Sequence, residues 1–379
     1  MSDALEALRA EFPTLRERVY FAGQCLGAFP EAMLDDLDAY ASSLRSRSRA
    51  IPAWVERWEE LHRLGEQLLE APPGSVYFRD SATAVHAALF ASIAPEGRRD
   101  RILVGAGDFH SIRYLVGAQR LRGFEVIELD DGAGVSPGAE DFVSRIDERV
   151  RVVAVSMVSP RNGALLDVRS IVDAAHAHGA IVVLDAYQAI GIVPVRVREL
   201  EADAVVGGFH KWVGGGGTGL AFGYVDPGLS ATLEPVYPGW LAHRELLGFH
   251  GAFAPATGAT KLQQGMPAME PVYTSRAGIR WVLQTGIDRI RARSLELTGR
   301  MIEHARALGL SVRTPSESAR RGGMLCLDVP DPAGVVRSLE AIGIDVDSRP
   351  GAGLRVGPHP CATEGECALV LERIREATR

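Results

Sequence analysis

The chain has 379 residues, with 41 basic and 48 acidic side chains, a formal charge of −7 and 46% hydrophobic residues. That balance belongs to a globular protein of about two domains and argues against a surface for nucleic acid or anionic membrane. Four cysteines (Cys25, Cys326, Cys361 and Cys367) are too few for a disulfide scaffold. No apolar run reaches the roughly 18 residues of a membrane span, and the amphipathic start MSDALEALRAEF lacks a signal-peptide core, so a reducing, cytoplasmic setting is expected.

In chain order, VYFRDSATAVHAALFASI sets Ser81, Ala82 and Thr83 where a helix begins. The apolar runs RILVGA (101–106), FEVIEL (124–129), RVVAVSMV (151–158), AIVVLDA (180–186) and ADAVVGG (202–208) read as strands. Helical stretches such as IRYLVGAQRLRG, AEDFVSRIDERV and VRSIVDAAHAHG lie between several of them. Near-continuous Val/Ile/Leu runs joined by helices predict a mostly parallel sheet covered on both faces. After about residue 270 the pattern changes. A long helical region, SRAGIRWVLQTGIDRIRARSLELTGRMIEHARALG, precedes GGMLCLDV, a helix, GIDVDSRP, GLRVGPHP and a terminal helix, which reads as a smaller α+β unit.

Only two of the basic residues are lysines, Lys211 and Lys261. Lysine, unlike arginine, can lose its proton and act as a nucleophile. Asp185 ends the run IVVLD, and ADAVVGGFHKWVGGGGTG leads into Lys211. A carboxylate and a lysine at neighbouring strand ends can face one cleft; taken alone, the two read more simply as a salt bridge. The first-turn N–H groups at Ala82 and the Thr83 hydroxyl suit a phosphate, against the simpler reading of a helix cap. Phe109, in GDFHS after RILVGA, can cover a planar ring or pack in a core. Together these are the parts pyridoxal phosphate requires: an amine for the aldehyde, a carboxylate for the pyridine nitrogen, a phosphate site and a stacking ring.

The stretch LDAYQAIGIVPVRVRELEADAVVGGFHKW resembles the cofactor-lysine region of fold-type I enzymes of the class V aminotransferase superfamily, above all kynureninases and kynureninase-like proteins. VYFAGQCLGAFP resembles their N-S-L-G segment, with Gln24 and Cys25 in place of Asn and Ser. RDSATAVHAAL resembles the phosphate-binding helix, and GDFHS the segment whose Phe stacks on the ring. PGWLAHRELLGF resembles G-W-x-G-H, with Trp240 and His243, and VDSRPGAGLRVGPHPCAT resembles the carboxylate-binding segment. The likeness runs from roughly residue 19 to 375.

The resemblance implies an α/β, fold-type I transferase with a mostly parallel seven-stranded sheet in a large domain, 20–265. Residues 1–19 and 266–379 would form a small α+β domain, and the enzyme would be a homodimer with its active sites at the interface. Pyridoxal 5′-phosphate would be the cofactor and an amino acid the substrate, with no metal, nucleic acid or membrane partner. Lys211 would form the Schiff base and then serve as base at Cα, and Asp185 would pair with the pyridinium nitrogen. Ala82, Thr83, His210 and Trp240, with Ser156, would hold the phosphate. Phe109 would stack on the ring, Gln188 would contact its 3′-oxygen, and Arg355 would clamp the α-carboxylate. The implied reaction passes through a Cα carbanion (quinonoid) to cleavage at the β-carbon by a C–C hydrolase or lyase. An aminotransferase, epimerase, or cysteine desulfurase/C–S lyase is the alternative within the superfamily. The chain departs from kynureninases at Gln188 (usually His), His210 (usually Tyr), Met266 in QQGMPAM (for G-T-P) and Ala362-Thr363 (for an aromatic-Asn pair).

Other motifs weigh less. GVSPG (134–138) matches a serine-hydrolase elbow, but Ser136 sits in a run of turn formers well past its strand. GAG at 105–107 lacks the third glycine of a dinucleotide loop. His359, Cys361 and Cys367 lack paired metal-ligand spacing. Cys361, six residues after Arg355, sits near where desulfurases carry a nucleophile, although a packed thiol is the simpler reading. Lys261 reads as structural. A non-catalytic binding protein would not be expected to retain Lys211, Asp185 and Arg355 together.

Overall fold

The computed structural model describes residues 5–130, 136–246 and 251–379. Seven strands form the large sheet: β1 (Val76–Arg79), β2 (Arg101–Gly105), β3 (Glu125–Leu129), β4 (Val150–Ser156), β5 (Ile181–Asp185), β6 (Ala204–Gly208) and β7 (Ala221–Val225). Their order is β1-β7-β6-β5-β4-β2-β3. The neighbours from β3 to β6 pair in parallel, and β7 runs antiparallel to both β6 and β1. The chain is thus α/β with a large, mostly parallel sheet, as its apolar runs predict.

Those runs lack alternation because both faces of the sheet are buried. Val182, Leu184 and Val205 point into a core with Trp58, Leu61, Val272 and Ile279. Their neighbours Ile181, Val183 and Val206 point into a second core with Val85, Leu89, Ile112 and Val116. The period of two places successive residues on opposite faces.

The predicted helical region at 275–309 is two helices, Met269–Thr285 and Ile287–Ala307. They part at Gly286, whose φ of +86° lies where an L side chain is strained. The first packs on helices Ala32–Arg45 and Arg47–Leu69 beneath the large sheet. The second carries Leu297, Met301 and Ile302 into a third core, with Leu325, Leu327, Leu354 and Val356. Those residues belong to the small antiparallel sheet formed by β8 (Ser311–Val312), β9 (Leu325–Asp328), β10 (Asp347–Arg349) and β11 (Gly353–Val356), ordered β10-β11-β9-β8. Among the described residues no helix is long and apolar enough to cross a membrane. Met1–Ala4 of the amphipathic start, Gly134 and Val135 of GVSPG, and Leu247, Gly248 and Phe249 of the Trp240 segment lie outside the described residues.

Candidate active site

Parallel strands end on one edge of the sheet, and that edge gathers the chemistry. Ser156 and Asp185 close β4 and β5 as register partners, and β6 ends at Gly208, three residues before Lys211. Helix Ala82–Ala91 starts directly after β1. Its cap is Ser81, whose hydroxyl accepts from the Ala84 N–H at 3.2 Å. Helix geometry leaves the N–H groups of Ala82 and Thr83 without intrahelical partners. A cavity of about 470 Å³ is lined by eight of the nine predicted cofactor residues: Ala82 and Thr83 at the helix start, Phe109, Ser156, Asp185, Gln188, His210 and Lys211. A second cavity of about 630 Å³ shares Phe109, Gln188, His210 and Lys211, and adds Gln24, Cys25, Arg349 and Arg355. Trp240, on the short 3-10 helix Trp240–Ala242, is 39% exposed and lines neither cavity.

Burial sets the protonation of this site. Desolvation pulls the Lys211 ammonium down to about 8, with Asp185 opposing and Arg355 assisting the shift. Its Nζ stands 4.7 Å from the Tyr187 ring centroid and 5.9 Å from that of Phe109. Asp185 accepts the Tyr187 N–H on Oδ1 at 2.8 Å, and its Oδ2 lies 3.5 Å from His86 Nε2. The Tyr187 hydroxyl meets His210 Nδ1 at 3.0 Å. Burial, with Lys211 adding to it, pushes His210 down to about 4, so its imidazole is neutral at pH 7. Asp108 is pushed up to about 6 by burial, although its carboxylate accepts the N–H groups of Ser156 and Gly105.

In the second cavity, Arg355 is not loose. Its Nε donates to Asp347 Oδ2 at 2.8 Å, Nη2 donates to the same oxygen, and Nη1 donates to the Pro160 carbonyl at 3.2 Å. The cross-strand register Asp347↔Arg355 makes this pairing. Cys361 is fully buried, its thiol pushed up to about 12 by desolvation, so it offers no thiolate. Cys25, by contrast, lines the second cavity and accepts from Arg349 Nη2 at 3.3 Å.

Sequence reading missed His86, Tyr187, Asp108 and Asp347. His86 had a signal, since it follows Thr83 by one turn on the same helix face. Tyr187 had one too, since an aspartate at a strand end commonly accepts the N–H of the residue two positions on, as Asp185 does here. Asp108 and Asp347 carried none, because their partners are fixed by loop and sheet register.

A family model described as aminotransferase class-V matches residues 29–373. The chain belongs to the class-V aminotransferase family. Within that likeness, the kynureninase of Deinococcus radiodurans is 30% identical over 373 residues, covering 94% of this chain and 89% of the relative. The kynureninase of Pseudomonas fluorescens is 26% identical over 377 residues, covering 95% and 89%. The apo structure of a cysteine desulfurase from Thermococcus onnurineus NA1 superposes with a TM-score of 0.85 over 98% of each chain at 21% identity, a likeness of fold. This class-V enzyme uses pyridoxal 5′-phosphate, and the site fits it. The Ala82 and Thr83 amides face no helical partner, and Asp185 ends a strand beside the lysine.

Proposed function

We propose that the enzyme cleaves a bond at the β-carbon of an α-amino acid, as a kynureninase-like hydrolase or lyase. The observation that carries this reading is Lys211 at the wall shared by both cavities, its amine made partly neutral at pH 7 by burial. Similarity to kynureninases along nearly the whole chain supports cleavage over transfer. The inert Cys361 weighs against a desulfurase that would use it.

The cofactor supplies an aldehyde for the lysine amine and a ring that draws electrons from Cα. Every other part comes from the chain. Ala82, Thr83 and His210 hold the phosphate, with neutral His210 keeping Nε2 for it while Nδ1 faces the Tyr187 hydroxyl. The Ser156 N–H is already taken by Asp108, which makes it the weaker phosphate ligand. Asp185 keeps a proton on the ring nitrogen, and Phe109 covers one ring face. Gln188 donates one N–H to the Gln24 carbonyl at 3.0 Å and keeps the other for the ring oxygen. Arg355 orients the α-carboxylate so that the Cα proton faces Lys211, which removes it and later returns it. A hydrogen-bonded clamp of this kind discriminates against amines that lack the carboxylate.

We read the molecule as a cytoplasmic homodimer. Its described cysteines are all unpaired. Val236, Tyr237, Trp240, Phe253 and Met266 are exposed on neighbouring loops and suit a subunit contact at which Trp240 serves the partner's site. The test is product analysis of the cofactor-loaded enzyme with L-kynurenine and other amino acids. Release of alanine with the second fragment supports β-cleavage. Stoichiometric transfer of the amino group to a keto acid would replace that reading by an aminotransferase. Lys211→Ala should abolish the visible absorption of the loaded protein.

A further inference from the structure

The cavity of about 630 Å³ is lined by Arg113, Arg161, Arg349 and Arg355 as well as Lys211. An amino acid with a neutral side chain offers that surface one carboxylate. Arg349 and Arg355 share a single carboxylate of the protein. Arg113 is matched by Glu128, which accepts from its Nε and Nη2 at 3.1 and 2.5 Å. Asp108, the single acidic residue of this lining among the described residues, turns its carboxylate to the backbone of Gly105 and Ser156.

Asp347 is one carboxylate serving two guanidiniums. Arg355 takes Oδ2, and Arg349 Nη1 donates to Oδ1 at 2.7 Å. The two arginines are thereby fixed on opposite oxygens of the same group, near each other and on the same cavity wall. Arg355 is 5% exposed and sits at the floor, while the Arg349 side chain is 54% exposed at the mouth. The Nη2 group of Arg349 that turns toward the cavity is met by the Cys25 thiol at 3.3 Å. A thiol is a weak acceptor, and a carboxylate on the same N–H forms a shorter and roughly twice stronger bond.

We propose that Arg349 is a second anion-binding residue and that the substrate is an α-amino acid whose side chain carries a carboxylate. The α-carboxylate lies on Arg355 and the side-chain carboxylate on Arg349, with the β-carbon between them. This rests on the reading that the cavity takes an amino acid for β-cleavage.

The experiment is a titration of the cofactor-loaded protein, followed by its visible spectrum, with the isosteric pairs L-aspartate/L-asparagine and L-glutamate/L-glutamine. In parallel, calorimetry of the cofactor-free protein compares glutarate with butyrate. The native protein should bind one acid at least about tenfold tighter than its amide, and Arg349→Gln should bring that ratio close to one. Glutarate should lose its advantage over butyrate in the same variant. Equal affinity for acid and amide in the native protein, or an unchanged ratio in Arg349→Gln, overturns the second site while leaving β-cleavage of a neutral amino acid intact. A spectrum that answers to no amino acid overturns both readings.

Discussion

With only two lysines in the chain, the chemistry of one amine can be followed in isolation. An ordinary lysine, with its ammonium at 10.5, is neutral in about one molecule in 3,000 at pH 7. Lowered to about 8 by burial, Lys211 is neutral in about one in eleven, a gain of roughly 300-fold in reactive amine. Asp185 works against that shift, since its negative charge favours the ammonium. Replacing it by Asn removes the charge while keeping a side chain of similar size. The Lys211 midpoint should then fall below about 8. The assay is acetylation of the cofactor-free protein by acetic anhydride across pH, with Lys211 and Lys261 separated by peptide mass spectrometry. Native Lys211 labelling should rise with pH through a midpoint near 8, and the Asp185→Asn curve should move to lower pH. A native midpoint near the ordinary lysine value, or an upward move in the variant, would refute the claim that burial tunes this amine.

Three further outcomes are expected. A Cβ added at Gly27 overlaps the Lys211 carbonyl oxygen, whose loop also supplies the bond from the Gly27 N–H to the His210 carbonyl at 2.8 Å. Gly27→Ala should therefore lower unfolding free energy by about 1–3 kcal/mol in denaturant titrations and weaken cofactor retention. Tyr187→Phe keeps the ring beside Lys211 and deletes the hydroxyl on His210. A net hydrogen-bond loss of about 1 kcal/mol should appear as a roughly fivefold weaker cofactor dissociation constant by equilibrium dialysis, and unchanged retention would dismiss His210 as a phosphate ligand. Cys361→Ser buries a hydroxyl at about 1–3 kcal/mol of stability but should leave steady-state turnover intact; a collapse of turnover would return Cys361 to the chemistry.

The sheet was legible because strands buried on both faces must be apolar at every position, as IVVLD shows between Asp185 and its second core. Strands β1 and β7 were harder to read. VYFR runs into a helix start, and AFGYV is interrupted by Gly223, where the Tyr77 ring fills the space of a side chain. Asp185 and Lys211 stood out because strand ends and a rare residue type are local signals. The ion pair of Arg355 with Asp347 was not legible, because it depends on the register of β10 against β11, and a slip of one residue turns every side chain to the other face. The approach of His86 to Asp185 bridges 99 positions and follows from how helix Ala82–Ala91 lies on the sheet. The break between the two helices had its local signal in Gly286, whose left-handed backbone the structure shows.

The second cavity is assembled from Gln24 and Cys25 near one end of the chain, Lys211 in the middle, and Arg349 and Arg355 near the other. During synthesis, then, the large sheet can be complete while the pocket still lacks the wall that Arg349 and Arg355 supply. Arg349 and Arg355 follow Lys211 in the sequence and so emerge from the ribosome after it. A chain clipped before Arg349 would lack that wall beside Lys211. The β10–β11 hairpin thus closes the wall of the second cavity only after the strands of the large sheet have been made.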